Sequence, residues 1–191
     1  MGNISFELQE QLSQLLKAGD LAQCDRIVSA RLAALPKSPF HIILDLSITT
    51  DAGAVGDWFD NFIKKECERF KVDAIYTEMN GFCINPDLWF FNAFAYKQYG
   101  GHGDYDWLSD WQSEDSGGAA IEGLEPLQQV YASDAFRNPD FRDACRVTDL
   151  LVVIKFQDLI RRAVPHMREL RFPLLATAHD YDFIFEARRE V

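Results

Sequence analysis

The chain has 191 residues, a net charge of −11, and side chains that are 48% hydrophobic and 13% aromatic. That composition is enough for a continuous core and excludes an intrinsically disordered chain. No apolar run reaches the length needed to span a bilayer, and MGNISFELQEQL at the start lacks the basic and apolar regions of a secretion signal.

Residues 5–17, SFELQEQLSQLLK, have the spacing of an amphipathic helix with Ser5 as its N-cap, and Asp20 is placed to cap a second helix over 21–35. The pair predicts a helical hairpin that stops at Pro36 and Pro39. Whether it packs on the core or stands off as an arm is open at this level. FHIILDLSI, 40–48, is apolar and β-branched and predicts a buried strand. GDWFDNFIKKECERF, 56–70, is helical in spacing. VDAIYTE, 72–78, predicts a strand that turns at Asn80-Gly81 into FCI. LWFFNAFAY, 88–96, is aromatic on both faces, as a central strand covered on two sides would be. Residues 123–136 and 141–164 predict helices separated by the turn RNPD, and FPLLATA with YDFIFEARR predicts a final hairpin. Helices before and after a strand cluster, without βα alternation, give an α+β class. We expect one domain over 1–191: an N-terminal helical hairpin extension at 5–35, a small mostly antiparallel sheet, C-terminal helices and a final strand or hairpin.

Cys24, Cys67, Cys83 and Cys145 include no CxxC pair. This excludes a zinc ribbon, shows no disulfide framework, and points to a reduced, cytoplasmic protein.

Charge is concentrated in one region. Residues 1–97 balance to −4 and 137–191 to +1, whereas 98–136 hold eight carboxylates and no Lys or Arg. A surface of that kind repels phosphate backbones and anionic lipid, so no nucleic-acid or membrane partner is expected. The densest part is GGHGDYDWLSDWQSED, 100–115, with five carboxylates, two tryptophans and a tyrosine.

Several chemistries can be tested on that stretch. A calcium loop starting at Asp104 would use Asp106, Leu108, Asp110, Gln112 and Asp115, but it has no oxygen side chain at position 5 and no Gly at position 6. His102 with Asp104 and Asp106 has suitable metal ligands but no second histidine nearby. Two carboxylates on one loop are a poor source of the opposed pair that glycoside hydrolysis needs. Elsewhere, DLSITTDAGAVGD at 45–57 could cradle a phosphate at a helix N-terminus. It lacks the second Asp of a DxDxT loop and the third Gly of a dinucleotide fingerprint, so a helix cap at Thr50 or Asp51 is the simpler reading. His179-Asp180 lies too near the end for an HD-type site, and no GxSxG is present.

Binding remains. Trp107, Leu108 and Trp111 fall together on a short helical turn, ringed by carboxylates, which is the composition of an interaction hot spot with an acidic rim. The expectation is therefore a non-enzymatic, cofactor-free module that binds a basic protein partner through Asp104, Tyr105, Asp106, Trp107, Asp110, Trp111, Glu114 and Asp115. In the alternative, the tryptophans fold back into the core and the carboxylates are a solvated loop. A second alternative is a metal-dependent, phosphoester-type hydrolase, with Mg²⁺ held by Asp45, Asp51 and part of the acidic loop.

The segments WFFNAFAYKQYGG, DWLSDW, GLEPLQQVYA and VIKFQDLIRRA, spanning about 89–163, resemble a group of uncharacterised bacterial cytoplasmic proteins. Small acidic α+β proteins of this kind are also similar to the immunity proteins of polymorphic toxin systems. Those mask a basic nuclease or other toxin with an acidic, aromatic-bearing face. That second likeness is one of type, and it implies no role for any individual residue.

Overall fold

The structure is a computed structural model and describes residues 4–83 and 85–189. Helix α1 (Ile4–Lys17) buries Leu8, Leu12 and Leu16, one stripe at a spacing of four. Ser5 is buried inside its first turn and does not stand before it as a cap. Asp20 accepts a hydrogen bond from the Gln23 backbone N–H at 3.1 Å and starts α2 (Leu21–Ala33). The α1 stripe, with Leu21, Cys24, Val28 and Leu32 of α2, joins the main buried cluster of the molecule. The hairpin is thus part of the core and not an arm.

The expected strand at 40–48 is instead a 3₁₀ helix, Pro39–Asp45. Its start is written locally: Pro39 is pre-set for a first helical position, and the Ser38 backbone N–H donates to His41 Nδ1 at 3.2 Å. Phe40 and Ile43, three apart, both reach the core, while Ile42 and Leu44 stay half-buried. Phe40 meets Tyr131 edge-on at 5.4 Å, and its carbonyl accepts from Thr148. An unbroken apolar run carries no period of its own, so tertiary contacts decide between strand and helix.

Helix α3 (Ala52–Arg69) is capped by Asp51, which accepts from the Ala54 N–H at 2.7 Å. Helix α4 (Glu125–Ala132) is short, and α5 (Arg142–Ala163) is buried on nearly every side. A five-stranded mixed sheet completes the fold: β1 (Ala74–Met79), β2 (Phe90–Tyr96), β3 (Ala119–Ala120), β4 (Leu174–Ala178) and β5 (Phe185–Ala187), in the order β3-β2-β1-β4-β5. Only β1 and β4 run parallel; the other neighbours are antiparallel. The central strand is therefore β1, with β2 one place from the edge.

FCI does not return along β1. Phe82 and Cys83 lie in the loop between β1 and β2, and Ile84 lies outside the described residues. Asn80 closes that loop, donating to the Leu88 carbonyl and accepting from the Phe90 N–H. Inside it Phe82 packs edge-on against Trp89, whose indole donates to the Phe82 carbonyl at 3.2 Å. Burying those two rings needs a longer loop than a two-residue turn allows.

Alternation along the strands divides the sheet into two faces. Ile75, Thr77 and Met79 share the inner face with Phe91, Ala93, Ala95, Leu174, Ala176 and Phe185. This face packs under α3 and α5, and Gln157 of α5 donates to the carbonyls of Ala176 (3.1 Å) and Phe183 (2.7 Å). The outer face carries Tyr76, Glu78, Phe90, Asn92, Phe94, Tyr96 and Leu175. The acidic segment lies over it.

Candidate functional site

The acidic segment leaves β2 at Lys97, folds over the lower half of the outer face, and returns beside β2. Its single helical turn is 3₁₀, Asp106–Ser109. Trp107 lies inward: its ring stands edge-on to Tyr96 at 4.8 Å and to Tyr99 at 5.6 Å, and its indole donates to the Gly101 carbonyl at 3.2 Å. Tyr96 in turn donates to the Leu108 carbonyl at 2.9 Å. Tyr105, Trp107 and Leu108 join Ala74, Tyr76, Tyr96, Leu175 and Ile184 in a second, smaller apolar cluster. Gly100 makes room for this. A Cβ there would sit 2.2 Å from the Trp107 ring, closer than real contacts allow.

Trp111 behaves differently. It is 51% exposed, and its ring stands edge-on to Phe94 at 5.3 Å. The expectation that Trp107, Leu108 and Trp111 form one exposed patch therefore needs correction. The first two hold the segment down, and the third remains on the surface.

Return along β2 is by side chains and one main-chain bond, from the Gln112 N–H to the Ala95 carbonyl at 3.0 Å. Ser113 and Ser116 hydroxyls accept from the N–H groups of Ala95 and Ala93, each at 3.0 Å, and the Gln112 carbonyl oxygen accepts from the Lys97 N–H at 2.8 Å. They occupy an edge that β3 pairs only at Phe90 and Phe91. An exposed strand edge is a template for unwanted pairing, and this one is filled.

The carboxylates divide into two groups. Glu114 bridges to Lys65 at 3.0 Å and Arg69 at 3.6 Å on the last turns of α3. The Lys65 hydrogen bond first, and then the charge of Arg69, hold its carboxyl below the usual carboxylate range. Asp104, Asp106, Asp110 and Asp115 are exposed and make no ion pair among the described residues. Asp104 and Asp115 only accept backbone N–H bonds two residues ahead. Beside Trp111 lies half-buried Phe94; further back along the same face of β2 are half-buried Phe90 and, at the head of the strand, Leu88, which is 53% exposed. The result is a strip of two apolar pairs along the outer face, Trp111 with Phe94 and Leu88 with Phe90, with Asn92 between them and Asp115 beside both. The strip was missed from sequence because an aromatic run was read as covered on both faces; its signal was the alternation of Phe90, Asn92 and Phe94.

The phenols around the segment are poor acid–base catalysts, which need a pKa near the working pH. Burial first, and then the hydrogen-bonded Glu186 carboxylate, push Tyr99 up to about 12. Burial likewise raises Tyr76, Tyr96 and Tyr105. The residues named for a hydrolase do not converge. Asp51 is committed to the N-terminus of α3, Glu114 is held at its far end about 20 Å of helix away, and Asp45 points to solvent from the 3₁₀ helix. Among the described residues no three His, Cys, Asp or Glu side chains come together as a metal site.

A separate cluster was missed altogether. Tyr131 of α4 donates to Asp149 of α5, Cys145 Sγ donates to it at 3.9 Å, and Tyr181 lies close enough to bear on its charge. Desolvation raises Asp149 to about 7. Accessible surface leaves the residue only partly buried, but rings and the thiol enclose its carboxyl. No sequence motif links these positions.

Comparison of the chain with protein-family models, with curated proteins and with solved structures returns no significant match.

Proposed function

We propose that this protein is a non-enzymatic binding module that docks a basic protein partner on the outer face of its sheet. The observation that carries the reading is Trp111: a half-exposed indole edge-on to Phe94, with Asp115 beside it and the carboxylates of Asp104, Asp106 and Asp110 on the same segment, all four unpaired among the described residues. Aromatic anchors within a charged rim are the usual composition of a hot spot, and unpaired rim charge speeds encounter with an oppositely charged partner. Tyr105 and Trp107 hold the segment in place and are not anchors in this reading. The immunity-type role, masking a basic toxin, follows from the same face. The four cysteines are all unpaired thiols, which supports a reducing, cytoplasmic setting. Among the described residues no helix is long and apolar enough to cross a membrane.

The test is a pull-down from host lysate at low salt with three forms: the native chain, Trp111→Ala, and a variant in which Asp104, Asp106, Asp110 and Asp115 are all Asn. Trp107 stays native so that the segment keeps its seat. The expected result is a basic protein held by the native chain, released by salt and lost from both variants, with at least about a tenfold fall in affinity for Trp111→Ala. Equal retention of the same proteins by all three forms would sink the reading.

A further inference from the structure

The two edges of the sheet are treated differently. On the β3 side, Gln112, Ser113 and Ser116 occupy the edge of β2. On the other side β5 pairs only with β4, and among the described residues no backbone or side-chain group bonds to its outer edge. That edge opens into a cleft of about 760 Å³ whose wall contains every residue from 185 to 189. Successive side chains of a strand point to opposite faces. A cleft that touches each residue in turn therefore runs along the backbone edge and not over one face.

The cleft is also cationic, in a chain of net charge −11. Among the described residues Lys17, Arg161, Arg188 and Arg189 line it against one carboxylate, Glu186, which already binds Arg188 and Tyr99. Lys17 has no acceptor among the described residues. Arg161 is bound through Nε and Nη2 to Asp158, and Arg189 through Nη1 to the Met167 carbonyl, so each keeps N–H groups to spare. Lys17 and Arg161 stand in the last turns of α1 and α5, where cations complement the helix dipole. No helix end accounts for Arg188 and Arg189, which follow the strand. Buried Val164 and the side of Pro165 make the floor apolar.

We propose that the free edge of β5 is a strand-addition site for an extended acidic segment of a partner protein. The segment pairs its backbone with residues 185–187 and sets its carboxylates against Lys17, Arg161 and Arg189. A second copy pairing through the same edge would bring these cations against their own equivalents, which disfavours self-pairing. The site is independent of the acidic outer face, and either can fail without the other.

The probe is a fluorescein-labelled, N-acetylated hexapeptide of alternating Glu and Val, titrated against the full chain at low salt and followed by anisotropy. Controls are the Lys/Val peptide and a Glu/Val peptide of equal charge with alternate backbone nitrogens methylated. The expected result is saturable binding of the first peptide alone, with slowed amide exchange at residues 185–187. The double variant Lys17→Ala, Arg161→Ala should weaken it by about tenfold or more; both side chains are exposed, so the variant keeps its core. Absence of saturable binding, equal binding of the methylated peptide, or an affinity unmoved by the double variant would each overturn the proposal. So would a dimer in sedimentation that the peptide leaves intact.

Discussion

At the scale of single residues, Gly100 governs how the acidic segment seats on the outer face, and Asp149 governs a separate buried cluster. Gly100 permits Trp107 to seat edge-on against Tyr96 and Tyr99, because any Cβ there would overlap the indole. Gly100→Ala forces either the ring or the backbone to move, and overpacking of this kind costs about 1–3 kcal/mol. Urea denaturation should show that loss, whereas Trp111→Ala, on the surface, should stay within about 0.5 kcal/mol of the native chain. Asp149 makes a prediction about pH. Desolvation raises it from 3.8 to about 7 in the folded chain, so folding takes up a proton there. A folded pKa above the unfolded one gives a contribution to stability that is complete below about 4 and is lost as pH rises through about 7. Tyr131, Tyr181 and Cys145 face this carboxyl, with Arg146 adding a small opposing charge effect. Replacing Asp149 by Asn keeps an acceptor for Tyr131 and removes the titration. The stability of Asp149→Asn relative to native should therefore climb between pH 5 and pH 8, read as the difference in thermal midpoint. A difference that stays flat over that range, or falls, would show that the carboxyl is already ionised in the fold.

Among the elements, the last turn of α3 fastens the acidic segment to the body of the protein. Glu66 is fully buried and paired with Arg69, and Arg69 reaches on to Glu114. Removing one partner of a buried pair leaves an uncompensated charge, at a cost of roughly 3–5 kcal/mol. Arg69 is itself 37% exposed, so Arg69→Ala belongs near the lower end, about 3 kcal/mol. Glu114→Gln removes only exposed bridges and should cost less than about 1 kcal/mol. Guanidinium titrations of both variants check this ordering, and equal losses would mean that water already reaches Glu66. The same elements show what sequence could reveal. Helices with an apolar stripe and a cap, such as α2 behind Asp20 and α3 behind Asp51, were readable because period and cap agree. The 3₁₀ helix at 39–45 was not, since its run of apolar residues has no period and its geometry is set by Tyr131 and Thr148 on distant elements. For the candidate site, the charge of 98–136 was plain from composition. Which tryptophan faces outward was not, because Tyr96, Tyr99 and the missing Cβ of Gly100 decide it together.

For the whole molecule, the open question from sequence was whether the N-terminal hairpin is a tether or a wall. The packing makes it a wall. Leu8, Leu12 and Leu16 of α1 are buried in the same cluster as α5 and the inner face of β5, and Lys17 borders the cleft beside that strand. Each buried Leu contributes about 1.5–3 kcal/mol, so the three together supply roughly 5–9 kcal/mol. A domain of ordinary net stability has only about 5–15 kcal/mol to lose. Deleting α1 should therefore abolish cooperative unfolding of the whole chain and not merely free one end. Trp89 gives a distant reporter: it is fully buried against Phe82 and Tyr131, in contacts that α1 does not make. In the deletion variant its near-ultraviolet circular dichroism should collapse and the thermal transition should broaden. A variant that keeps a sharp transition and a native aromatic signal would instead show that α1 is an arm resting on a core that folds without it.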